Sequence, residues 1–300
     1  STGLKGTGSN DVEAKDVFAH ALRVLTKRGD VRWVEEVWFN KDFLALVDAL
    51  DTSELNEMLA NVMTLPKLNY QAEEILYAIG KRNAQTVLDS LMERIRTEGF
   101  QQAQTDDPDV RLESIPYHLE KLPKLLSQIP DALLTALRRD FKDTDAGSFP
   151  YRGGGRLIKA VFPEFETQLE TFLLKSVEDG TQEDIDFALA IMRVYEGSPV
   201  ILPMCMAIIK VVPEASEVWN EVAAAIETTG VVSGEYGMAR AFEKKRDEIS
   251  AWLSDEHPLV RSFAEWLTDA LKDSAMQFRK RADEDIALRK YKYGVNKDQA

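Results

Sequence analysis

Apolar residues recur at three- and four-residue intervals along most of the chain, and sustained period-two alternation is missing, so the pattern predicts successive amphipathic helices rather than strands. Val17, Phe18, Ala21, Leu22 and Leu25 mark a first helix that Gly29 stops, with Asp30 placed to cap the next. Trp33, Val34, Val37 and Trp38 form a second apolar face, and Phe43, Leu44, Leu46, Val47 and Leu50 a third. Asp51 and Glu54 have capping-box spacing at the start of the following helix, which Pro66 ends. The stretch YQAEEILYAIGKRNAQTVLDSLMERI predicts a helical hairpin that turns at Arg82 and Asn83.

Residues 97–116 are polar and contain a proline, which predicts a long connection. Helices resume in EKLPKLLSQIPDALLTALRRDF, where Pro123 and Pro130 suit first turns because the N–H they lack has no partner there. Residues 143–156, DTDAGSFPYRGGGR, carry four glycines and a proline and predict a second irregular segment. Beyond it, helices are expected at 157–179, 182–196, 200–211, 215–228 and 237–253, with a long last one from 258. Thr181 and Asp184 form a capping pair, and FALAIMRVY is apolar on more than one side, as in a helix sandwiched between neighbours.

A helix with one apolar stripe cannot bury that stripe alone, whereas a row of hairpins buries each stripe against the next. In WLSDEHPLVRSFAEWL, Asp255 is placed to cap, Pro258 to preset a first turn, Val260 to enter the seam, and Arg261 to reach carbonyls or acids of an adjacent unit. The spacing Leu253, Asp255, Pro258, Val260, Arg261, Ala264, Leu267, Leu271 resembles the HEAT-repeat family over residues 249–271, with weaker echoes at Ile75–Leu91 and Pro130–Leu137. The resemblance implies an all-α, HEAT-like solenoid of stacked hairpins with partly degenerate repeats. Residues 1–10 read as a flexible lead-in or appended scar. Residues 11–300 then form a single helical-repeat domain, with a sub-boundary allowed at 143–156. More loosely, the chain resembles the C-terminal helical sensor regions of bacterial signalling NTPases, including anti-phage ones. It has no GxxxxGK[ST], so an NTPase engine would lie outside it.

Composition narrows the chemistry. With 44% hydrophobic and 29% charged residues the chain can form a core, and a formal charge of −14 disfavours approach to a phosphate backbone. The single cysteine, Cys205, lies in the apolar run VILPMCMAII, which excludes an internal disulfide and agrees with a cytoplasmic location. The apolar run Val200–Val212 is short and broken by Pro203 and Lys210, so no membrane span is expected. His20, His118 and His257 show no metal-ligand spacing; neither metal nor cofactor is expected. The acid pairs Glu73–Glu74, Glu183–Asp184 and Asp283–Glu284 read as hydrated helix faces rather than catalytic dyads.

The strongest small-ligand candidate is YRGGGRLIK. Tyr151, Arg152, Arg156 and Lys159 surround Gly153–Gly155, where backbone N–H groups and arginines suit a phosphate or carboxylate, or where the segment is simply an interhelical loop. In TTGVVSGEYG, Gly230, Gly234 and Gly237 permit tight turns and Tyr236 fills a gap. Near the C-terminus, Arg279–Arg281 and Arg289, Lys290 and Lys292 alternate with acids at four-residue spacing, and Phe278, Tyr291 and Tyr293 leave a nucleic-acid arm open. These features predict a non-catalytic protein-binding scaffold or sensor module, part of a larger bacterial protein. The alternatives are a HEAT-like nucleic-acid binder of the DNA-repair type and a carboxylate-based hydrolase.

Overall fold

The computed structural model describes residues 8–36, 47, 50–102, 112–141, 148–178 and 180–295. Among them every regular element is helical and no strand occurs. The expected apolar positions Val37, Trp38, Phe43, Leu44 and Leu46 lie outside the described residues, as do 103–111 and 143–147 of the two irregular segments. The chain divides into two compact units, Ser1–Leu169 and Glu170–Ala300.

In the first unit, α1 (Gly8–Lys27) ends at Gly29, whose φ of 63° is left-handed backbone that glycine adopts without steric cost. Its buried side includes Ala19, while Val17, expected in the core, is exposed, so the packed stripe is rotated from the expected one. The short α2 (Trp33–Glu36) is tied to α3 (Thr52–Val62) by the Trp33 indole N–H, which donates to Asn61 Oδ1 at 2.6 Å. The capping box of α3 is complete. Glu54 N–H donates to Asp51 Oδ1 and Asp51 N–H to Glu54 Oε2, both at 2.9 Å, and Arg23 of α1 pairs with Glu54 at 2.7 Å.

The expected hairpin is α4 (Tyr70–Gly80) and α5 (Ala84–Gln102). α5 runs six residues into the stretch expected as connection, since Glu98, Gln101 and Gln102 favour helix and one glycine does not stop a helix already nucleated. Then come α6 (Leu122–Leu126), α7 (Pro130–Asp140), a 3₁₀ turn (Phe149–Tyr151) and α8 (Gly153–Val161); Pro123 and Pro130 both stand in first turns. The helix expected over 157–179 is two helices. α8 stops before Pro163, which has no N–H to donate, and α9 (Thr167–Glu178) starts afresh.

The second unit holds α10 (Gln182–Val194), α11 (Leu202–Val211), α12 (Glu217–Glu227), α13 (Gly237–Ile249) and α14 (Pro258–Val295). Thr181 N–H and Oγ1 both donate to Asp184 Oδ2, at 3.0 and 2.8 Å. Phe187 to Met192 are buried in succession, which matches the all-round apolar pattern of α10. Gly197, at φ 77°, lies so near Thr228 that a Cβ would sit 2.3 Å from its carbonyl oxygen; its own carbonyl accepts from the buried Lys245 Nζ at 2.5 Å. Ala215 is left-handed at φ 54°, just before α12.

α13 and α14 run antiparallel. Tyr236 donates to Asp283 Oδ1 at 2.6 Å, Phe242 stacks on Phe278 at 5.4 Å, and Trp252 leans on Phe263. The turn between them is built from Asp255, which accepts from His257 N–H at 2.8 Å, and Pro258, which opens α14. Val260 is fully buried. Arg261 closes its own turn by donating to the carbonyls of Asp255 and Glu256, at 2.6 and 2.9 Å. Among the described residues no helix is long and apolar enough to cross a membrane.

Candidate functional site

Arg156, in the second turn of α8, organises a surface of the first unit. Its Nη1 donates to the Ile115 carbonyl at 2.7 Å and meets Glu113 Oε1 at 3.3 Å, and its Nε donates to the Tyr151 carbonyl at 3.0 Å. The guanidinium also lies 4.4 Å from the centre of the Tyr117 ring. One cation thus lies against the Tyr117 ring and holds the Tyr151 backbone, two parts of the chain far apart in sequence, and Tyr117 and Tyr151 remain 72% and 70% exposed.

The glycines before Arg156 serve close packing. A Cβ at Gly155 would sit 2.2 Å from the Phe149 carbonyl oxygen and 2.6 Å from Pro150 Cα, and one at Gly154 would sit 2.8 Å from the Phe149 ring. All three glycines are buried in the first turn of α8, beneath the 3₁₀ turn that carries Tyr151. Phe149 also meets Phe141 edge-on at 5.7 Å. Arg152 stands exposed at the N-cap, and Lys159 Nζ donates to the Pro163 carbonyl at 2.8 Å. The four residues singled out by sequence therefore share one short stretch, with Arg156 turned inward and Tyr151 and Arg152 outward.

The irregular chain that presents Tyr117 is stapled on both sides. Arg94, buried in α5, donates to four carbonyls: Ser114 at 3.0 Å, Met63 at 2.7 Å, Pro66 at 3.1 Å and Glu113 at 2.7 Å. Downstream, Glu73 Oε1 accepts from the backbone N–H groups of Glu120, Lys121 and Leu122, at 2.8, 2.8 and 3.0 Å, and so caps α6 with a side chain from α4. Glu74 pairs with Lys121, whose ammonium lies over Tyr70 and Tyr77; that carboxylate holds the Lys121 pKa above the ordinary lysine value. Glu73 and Glu74, expected on a hydrated helix face, are buried and committed to these contacts.

Tyr117, Glu113, Arg94 and Glu73 carry no signal in local spacing. Each acts on a segment 19 or more residues away, except Tyr117, whose position between a proline and a histidine in IPYH marks only an exposed turn. In the second unit Cys205 is sealed in the core, and burial pushes its thiol pKa up. No group of three His, Cys, Asp or Glu fit to hold a metal occurs among the described residues. The arrangement offers aromatic and cationic contact. Comparison with protein-family models, curated proteins and solved structures finds no match.

Proposed function

We propose that this chain is a non-catalytic protein-binding module, a HEAT-like stack of hairpins serving as the scaffold or sensor part of a larger protein, and that it grips its partner through Tyr117 and Tyr151. The observation that carries the reading is two exposed tyrosines beside a single guanidinium, which lies against the Tyr117 ring and donates to the Tyr151 backbone carbonyl. Tyrosine supplies large contact area at the cost of two torsions, and rigid aromatic anchors dominate the energy of protein interfaces. The antiparallel α13–α14 pair and its Asp255–Arg261 turn support the HEAT-like part of the reading.

The test is capture from a lysate of the source organism by immobilised wild-type chain and by the Tyr117→Ser/Tyr151→Ser variant. A protein retained by the wild type and lost by the variant, at unchanged helicity, supports the reading. Equal recovery by both removes the tyrosines from it, and recovery that nuclease abolishes replaces it with the nucleic-acid alternative.

A further inference from the structure

Between α12 and α13 the chain runs TTGVVSGEYG, residues 228–237. Both ends of this connection are held. On the α12 side, Gly197 N–H donates to the Ala225 carbonyl at 2.8 Å and Gly197 lies close against Thr228. On the α13 side, Glu235 pairs with Arg289 at 2.9 Å, Tyr236 donates to Asp283, and Gly237 N–H donates to the Gly234 carbonyl at 2.9 Å. Between these anchors the backbone is unengaged: among the described residues, no N–H from Thr229 to Ser233 donates within the chain. A Cβ on Gly230, at φ 63°, would meet nothing within 4 Å, and Val231 beside it is fully exposed. Val232 turns back against Gly237, which leaves Val231 as the apolar tip.

An endoprotease takes its substrate as an added strand, bonding free backbone groups on either side of the bond it cuts and seating one side chain in a pocket. Exposure of an apolar side chain is not enough for this. Val17, Val200 and Val211 are 65%, 45% and 46% exposed, but they stand in α1, in a 3₁₀ turn and in α11, where the backbone is already committed to a helix. At Val231 a small aliphatic side chain coincides with unbonded N–H groups and with small neighbours, Gly230, Ser233 and Gly234. Gly230 and Gly234 are both left-handed, at φ 63° and 83°, and glycine crosses from there to extended backbone more freely than any other residue. Exposed loop tips of this composition are where folded chains are nicked.

We infer that the bond after Val231 is a specific cleavage site, open in the folded chain to an endoprotease with a small aliphatic pocket. Water adds across the amide, so that Val231 keeps the carboxylate and Val232 the new amine. The cut leaves residues 1–231 and 232–300 held together by packing, because Trp219 of α12 meets Phe263 of α14 edge-on at 5.3 Å and Lys245 of α13 still donates to the Gly197 carbonyl. The second unit becomes a nicked pair, with α13 and α14 docked on α11 and α12 without a covalent tie. The site lies in that unit and stands apart from the tyrosine surface of the first.

Digestion of the whole folded chain with pancreatic elastase, with the products mapped by mass spectrometry, tests it. Among the bonds of residues 170–295, the one after Val231 should be cut first. The two pieces should co-elute on size exclusion and keep the helicity of the intact chain in far-UV circular dichroism. Val231→Asp should slow the cut by roughly tenfold or more, because a small apolar pocket rejects a carboxylate. Val211→Asp, equally a loss of an exposed valine, should leave the rate unchanged. An earlier cut elsewhere in 170–295, an unchanged rate in Val231→Asp, or pieces that separate without denaturant overturns the inference.

Discussion

Arg94 shows how one side chain can set the course of an irregular segment. Its guanidinium satisfies four carbonyls of chain that enters neither helix nor strand, and buried carbonyls left without donors are costly. Arg94→Leu should therefore cost roughly 2 to 4 kcal/mol of stability, read from chemical denaturation, and should also release Tyr117 from its fixed position. Asp30 gives a pH signature instead. Hydrogen bonds from the Arg32 side chain and backbone hold its pKa at about 2, below the usual carboxylate value of 3.8. The folded state thus binds this proton less readily than the unfolded state does, and stability from Asp30 is complete above pH 3.8 and lost as pH falls through about 2. In acid titrations followed by circular dichroism, wild type and Asp30→Asn should differ above that window and converge below it.

Helix boundaries divide into those set by neighbours in sequence and those set across the fold. The Asp51–Glu54 box, the left-handed Gly29 and the prolines opening α6, α7 and α14 follow from local rules, and each was legible in the chain. Asp51→Ala should remove about 1 kcal/mol, measured by thermal unfolding, with the loss confined to the start of α3 in hydrogen exchange. Apolar periodicity alone misread the stretch 157–179, because it weighed the stripe above the N–H that Pro163 lacks. The three glycines of α8 read in sequence either as an anion cradle or as a plain interhelical loop, and nothing in their own spacing says that Phe149 and Pro150 press on them. Gly155→Ala should force the 3₁₀ turn away, cost roughly 1 to 3 kcal/mol, and lower partner capture together with stability. Glu73 and Glu74 were illegible for the same reason: the N–H groups and the ammonium they serve lie 47 to 49 residues downstream.

Across the whole molecule, the all-helical class was the most legible property, because a 3.6-residue period repeated through nearly every segment and no sheet pattern competed with it. Charge sets the other global expectation. At −14 the chain should not retain short duplex or single-stranded DNA at physiological salt in an electrophoretic assay, even though Arg152 and the cations of α14 are exposed. Much of the positive charge near the C-terminus is spent internally, with Arg279 on Glu243 and Arg289 on Glu235, so the helix end is tied to α13 and to the turn before it.

The sealed position of Cys205 gives the second unit a built-in stopwatch. As the sole thiol, with no solvent access and a pKa pushed upward, it can meet an alkylating reagent only when the surrounding helices part. Its modification rate under native conditions therefore times the breathing of residues 170–300 alone. Any molecule that clamps those helices would slow that clock.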